Sequence, residues 1–85
     1  MKIIFYSKTN CYWCELVRIF LNNNGISFEE KDVTKNQEHF DEMFRKSNQS
    51  KAPTLDIGGH IIADADVTEV ASYLAQKGKI GHKDL

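Results

Sequence analysis

Cys11 and Cys14 are the only cysteines in the chain, and they stand two residues apart as Cys11-Tyr12-Trp13-Cys14. An apolar run, Ile3-Ile4-Phe5-Tyr6, precedes them and an amphipathic segment follows. The first thiol is therefore expected at the tip of a strand, where a helix begins. A helix N-terminus carries partial positive charge and unpaired N–H groups, so it stabilises a thiolate. The second thiol falls one helical turn on, on the same face. Two cysteines so arranged can cycle between dithiol and disulfide. The competing chemistry is half of a structural zinc site, which needs four ligands. His39, His60 and His82 are the remaining candidates, and none are paired at the usual spacing. A strand–helix–strand setting favours the redox reading.

The elements that must place these thiols are legible in outline. The chain has 85 residues, 41% of them hydrophobic, which suits one small domain over 1–85 with one core. Eleven basic residues against 12 acidic ones, scattered rather than striped, argue against a nucleic-acid partner. No apolar stretch reaches the length of a membrane span, and no leader precedes the first strand. A two-cysteine chain of this kind reads as cytoplasmic, where a disulfide is transient and catalytic.

The apolar run at 2–6 predicts a buried strand. Leu16, Val17, Phe20 and Leu21 predict a helix over 12–24, closed by Gly25. Residues 26–33 predict a second strand, polar enough for a sheet edge. Strand, helix and strand then make a right-handed βαβ unit. Thr34 or Asn36 is expected to cap a helix over 37–47, with Phe40, Met43 and Phe44 in the core. Leu55 and Ile57 predict a strand with Asp56 on the solvent face. Gly58-Gly59 predicts a hairpin turn into a return strand at 60–63. Asp64 or Asp66 is expected to start a third helix, buried through Val67, Val70, Ala71 and Leu74 and stopped at Gly78. A polar tail, 79–85, follows. The order is β-α-β-α-β-β-α, an α/β fold with a four-stranded mixed sheet flanked by three helices.

Three segments carry a family resemblance. Ser7-Lys8-Thr9-Asn10-Cys11-Tyr12-Trp13-Cys14 resembles the active-site segment of dithiol glutaredoxins, usually Ser-Lys-Thr-x-Cys-Pro-Tyr-Cys. Ala52-Pro53 resembles the family's Val-Pro, whose proline bond is cis. The stretch from Ile57-Gly58-Gly59 to Ala65-Asp66 is similar to the family's Ile-Gly-Gly-x-x-Ile-Gly-Gly-Cys-Asp. The departures are Tyr12 for proline, Trp13 for tyrosine, Lys51 for a common threonine, Ala63-Asp64 for Gly-Gly and Ala65 for Cys or Ser.

The resemblance implies a thioredoxin-like fold of the glutaredoxin type and a monomer exchanging thiols with disulfides. By it, Cys11 is the attacking and Cys14 the resolving thiol, joined as a redox-active disulfide when oxidised. Glutathione is the implied co-substrate, with disulfide-containing or glutathionylated proteins as partners and no metal. Lys8 would offset the thiolate and meet a glutathione carboxylate. Ala52, exposed by cis Pro53, would pair its backbone with the cysteinyl part. Asp66 and the N–H groups around Ala65 would hold the γ-glutamyl end. Tyr12, Trp13 and Lys51 would border the same ligand. Two alternatives stand beside this: a small carrier reduced by thioredoxin reductase, and a non-enzymatic iron–sulfur carrier. Gln49 is read either as a donor to the glycyl carboxylate or as a loop residue.

Overall fold

A computed structural model describes residues 1–80 of the chain. From residue 81 on, the expected polar tail, with His82 in it, lies outside the described residues. The elements follow the expected order: β1 (Ile3–Ser7), α1 (Tyr12–Asn23), β2 (Glu29–Asp32), α2 (Gln37–Ser47), β3 (Thr54–Ile57), β4 (His60–Ile62) and α3 (Val67–Gln76). The sheet is ordered β2-β1-β3-β4. β1 runs parallel to β2 with Ile4 opposite Glu29, and antiparallel to β3 with Phe5 opposite Leu55. β3 and β4 form an antiparallel hairpin with Leu55 opposite Ile62.

Alternation along a strand sends successive side chains to opposite faces. On one face Ile3, Phe5, Leu55, Ile57 and Ile62 meet Cys14, Val17 and Leu21 of α1 and Val70 and Leu74 of α3. On the other, Ile4 and Tyr6 meet Val33 and Met43, with Phe40 alongside. So α1 and α3 cover one face, α2 covers the other, and β1 is buried on both. The thiol-bearing helix is thereby wedged into the larger of the two cores.

The chain departs from the sequence expectations in four places. The second strand is shorter than 26–33, because the Ile26 N–H closes α1 by donating to the Leu21 carbonyl at 3.0 Å. Ile26 and Phe28 pack on the core before pairing begins. Phe44 is 46% exposed rather than core, stacked on Phe40 at the margin of α2. The smaller core beneath α2 is already filled by Met43 and Phe40. Asp56 does not face solvent: β3 is an inner strand, so its second face lies under α2, where Lys46 Nζ meets the carboxylate at 2.7 Å. The return strand ends at Ile62 rather than 63.

The caps resolve two open choices. Asn36 caps α2, its side chain accepting from the Glu38 and His39 N–H groups, since the Thr34 hydroxyl is engaged elsewhere. Asp66 caps α3 through a capping box with Glu69. Gly25 takes φ +65° just beyond α1, the left-handed conformation that an unbranched backbone enters most easily.

Candidate active site

Cys11 is the N-cap of α1, in extended conformation, and its Sγ accepts the Cys14 N–H at 3.2 Å. The two sulfurs are joined as a disulfide, with Cα atoms 5.2 Å apart. They are unequal. Cys14 is fully buried among Val17, Leu21 and the sheet, whereas Cys11 keeps partial exposure. The helix start therefore presents one sulfur outward and keeps the other inside its first turn.

Two grooves meet at this point. One, of about 200 Å³, is lined by Trp13, Ala52, Pro53, Asp64, Ala65 and Asp66. The other, of about 470 Å³, runs past Lys8, Cys11 and Tyr12 towards Glu30 and Lys35. Eight of the ten expected site residues divide between them; Cys14 lies buried beneath, and Lys51 faces Asp64 at the rim of the first. Tyr12 and Trp13, 67% and 59% exposed, stand edge to face with ring centres 5.4 Å apart. Exposed aromatics beside a partly exposed sulfur offer flat apolar contact to a molecule that approaches it.

The Ala52-Pro53 bond is cis, and Pro53 is buried. Among the described residues neither the N–H nor the C=O of Ala52 has a hydrogen-bond partner, because the β3 ladder starts only at Thr54. That is a free backbone edge in the groove that Trp13, between the two cysteines in sequence, also lines. The groups expected to hold the γ-glutamyl end have partners of their own. The Ala65 N–H already donates to the Pro53 carbonyl at 2.7 Å. The Asp66 N–H donates to Glu69 Oε1 at 3.2 Å. The Asp66 carboxylate accepts from the Thr68 hydroxyl and N–H, at 2.7 and 2.8 Å, and these hold it below the usual carboxylate range. Asp66 is exposed, so a ligand ammonium can still approach its carboxylate.

Sequence reasoning missed three features of the site. The first is a pairing: Asp64, the acid that replaces a family glycine, takes φ +49° and faces Lys51 Nζ at 3.9 Å. On the other side Arg18 bridges Glu15 and Glu30, and Glu30 accepts from the buried Ser7 hydroxyl at 2.7 Å. The Arg18 hydrogen bond, against the cost of burial, holds the Glu30 carboxyl below its ordinary range. Thirdly, Asp32 and Thr34 grip the loop before Cys11. The Asp32-Val33-Thr34 pattern is an Asx-turn signature, which a search for turn residues would have found. Gln49 turns inward, its Nε2 donating to Ser47 and Thr54 and its Oε1 accepting the Lys51 N–H, so it serves the loop. Among the described residues no three His, Cys, Asp or Glu side chains converge as metal ligands would. No helix among them is long and apolar enough to cross a membrane.

A family model described as Glutaredoxin matches residues 3–62, from β1 to the end of β4. A glutaredoxin-like 8.6 kDa protein in the rubredoxin operon of Clostridium pasteurianum is 31% identical over 68 residues, 80% of this chain and 91% of that protein. Glutaredoxin 3 of Escherichia coli K12 is 28% identical over 65 residues, 76% of this chain and 78% of that protein. In three dimensions the crystal structure of the thioredoxin-like protein BC3987 superimposes with a TM-score of 0.78 at 27% identity, over 84% of this chain and 97% of that one.

Proposed function

The chain belongs to the glutaredoxin family, and from that premise we propose that it is a glutathione-dependent thiol–disulfide oxidoreductase. Reduced Cys11 attacks one sulfur of a protein disulfide or a glutathione mixed disulfide as thiolate. The new S–S bond forms as the old one breaks, and the departing sulfur leaves as thiolate. Cys14 or a glutathione thiolate then attacks the Cys11 sulfur and releases the second half. Where Cys14 resolves, two glutathione molecules restore the dithiol and leave as glutathione disulfide.

The observation that carries this reading is the asymmetry of the pair beside a free backbone edge. One sulfur is accessible at a helix start, its partner is fully buried, and Ala52 offers an unpaired N–H and C=O in the groove lined by Trp13. An extended cysteinyl segment laid on that edge brings its sulfur to Cys11. Lys8 on one side and Lys51 on the other supply positive charge for glutathione carboxylates.

A second reading has its own observation. The N–H groups of Ala65 and Asp66, the donors expected for the γ-glutamyl carboxylate, are already engaged, and Asp64 adds an acid to the rim. A carrier reduced by thioredoxin reductase has no use for that subsite. Coupled assays decide between them. Turnover with glutathione and glutathione reductase supports the first reading. Turnover with thioredoxin reductase alone supports the second and refutes glutathione dependence.

A further inference from the structure

Ser7 and Cys11 are both fixed in place. Ser7 is buried in β1 with its hydroxyl on Glu30, and Cys11 caps α1. Only Lys8, Thr9 and Asn10 span the gap, and Asn10 takes φ +58°. The middle residue is tied sideways. The Thr9 hydroxyl donates to Asp32 Oδ2 at 2.8 Å, and the Thr9 N–H donates to Thr34 Oγ1 at 3.1 Å. The two threonine hydroxyls lie 2.9 Å apart. Asp32 also accepts from the Thr34 N–H at 2.8 Å and the Lys35 N–H at 3.3 Å, so its carboxylate is locked in a turn of its own. The link to Thr9 is additional to the bonds that shape this end of the sheet: the β1–β2 ladder ends at Ser7 opposite Asp32, and Asn36, not Thr34, caps α2.

We propose that Asp32 and Thr34 are positioning residues for Cys11, acting through Thr9. The proposal rests on Cys11 as the attacking thiol. With Thr9 pinned, a single residue separates the tether from the sulfur. The sulfur is then held where it accepts the Cys14 N–H, the contact that favours its thiolate. Without the tether the loop swings between two fixed ends, and that contact is diluted over several loop positions. The edge strand β2, remote from the thiols in sequence, would thus help set their reactivity.

The test is alkylation of the fully reduced protein by iodoacetamide across pH, with mass spectrometry assigning each cysteine. Thr34→Val removes the hydroxyl at nearly constant shape. It is expected to slow Cys11 alkylation about two- to fivefold below about pH 7, the range a helix-terminus interaction supports. Its midpoint moves to higher pH, while the high-pH plateau stays. Thr34→Ser restores the wild-type profile. Thr9→Val gives the same shift and keeps the test open should Thr34→Val not fold. Lys8, Glu15, Arg18, Glu30 and Lys35 line the same groove and are unchanged in every variant. Wild-type midpoints in the folded valine variants overturn the proposal, whatever happens to their thermal stability. Preferential alkylation of Cys14 in the wild type overturns instead the assignment of the attacking thiol.

Discussion

Glu42→Gln removes one negative charge from the α2 face of the sheet and leaves the shape in place. Glu42 accepts from the buried Tyr6 hydroxyl and from Lys31 Nζ at 2.8 Å, with Lys46 Nζ at 3.8 Å. Burial pushes its carboxyl up, but the Lys31 and Tyr6 hydrogen bonds and the two lysine charges outweigh it and bring the pKa down to about 2. The same contact, after burial, raises the Tyr6 phenol to about 12. A carboxyl moved from 4.5 to about 2 stabilises the folded state by about 3 kcal/mol at most. Glu42 keeps 23% exposure and Lys46 28%, so solvent screens part of this, and about 1–2 kcal/mol remains.

The sign follows from the depressed pKa. The contribution is complete above about pH 4.5 and fades as pH falls towards about 2, where the folded carboxylate is protonated too. Urea unfolding of wild type and Glu42→Gln, at neutral pH and near pH 2, measures it. The expected gap is about 1–2 kcal/mol at neutral pH, closing in acid. Glutamine still accepts the Tyr6 hydroxyl, so packing does not confuse the comparison. An equal gap at both pH values, or none at neutral pH, refutes the electrostatic account. Disulfide exchange by the folded variant should match wild type, since Cys11 and Cys14 stand on the opposite face of the sheet.

Three other outcomes are expected. Cys11→Ser abolishes all exchange, whereas Cys14→Ser keeps reduction of glutathione mixed disulfides and loses reduction that needs an internal disulfide; equal damage in both assays would contradict the assignment. Asp66→Asn keeps a good helix cap but loses the charge, so KM for glutathione rises with kcat little changed, while reduction by a small dithiol stays the same. Asn36→Ala removes the α2 cap and costs about 0.5–2 kcal/mol in urea unfolding without altering exchange kinetics of the folded protein.

What the sequence disclosed depended on whether the deciding interaction was local. The cysteine pair, the α1 periodicity and the Gly58-Gly59 turn are set by near neighbours, and each stands where spacing predicted. Phe44 and Asp56 were misplaced because their environment depends on which sheet face α2 covers, and residue type alone does not carry that. A hydrophobic residue at the margin of a helix is left exposed when the core below is full. An acid on an inner strand is tolerated when a lysine from the covering helix meets it. The Ala65 and Asp66 donors were foreseen as free because a helix start has spare N–H groups. The Pro53 carbonyl reaches the Ala65 N–H only because the chain returns past the β3–β4 hairpin, whereas the Asp66 N–H is taken locally by Glu69 in the capping box. The Thr9–Asp32 tether joins residues 23 positions apart, through side chains whose types are commonplace in loops.

The Cys11 sulfur closes the first turn of α1, and in the proposed reaction it is also the attacking sulfur. A thiolate accepts an N–H more strongly than a sulfur already bonded to another sulfur. Helix fraying and redox state are therefore two edges of one thermodynamic cycle. Reduction removes the covalent tie between Cys11 and Cys14 and leaves a better acceptor for the Cys14 N–H, so the turn passes from one restraint to the other. Amide exchange at Cys14 should report oxidation state directly. The mixed disulfide, with Cys11 bonded to a substrate, is the state in which this turn is held least. That turn carries Cys14, the buried thiol that resolves the intermediate in the proposed reaction. In that reaction, loading the substrate is expected to loosen the backbone that delivers the second thiol.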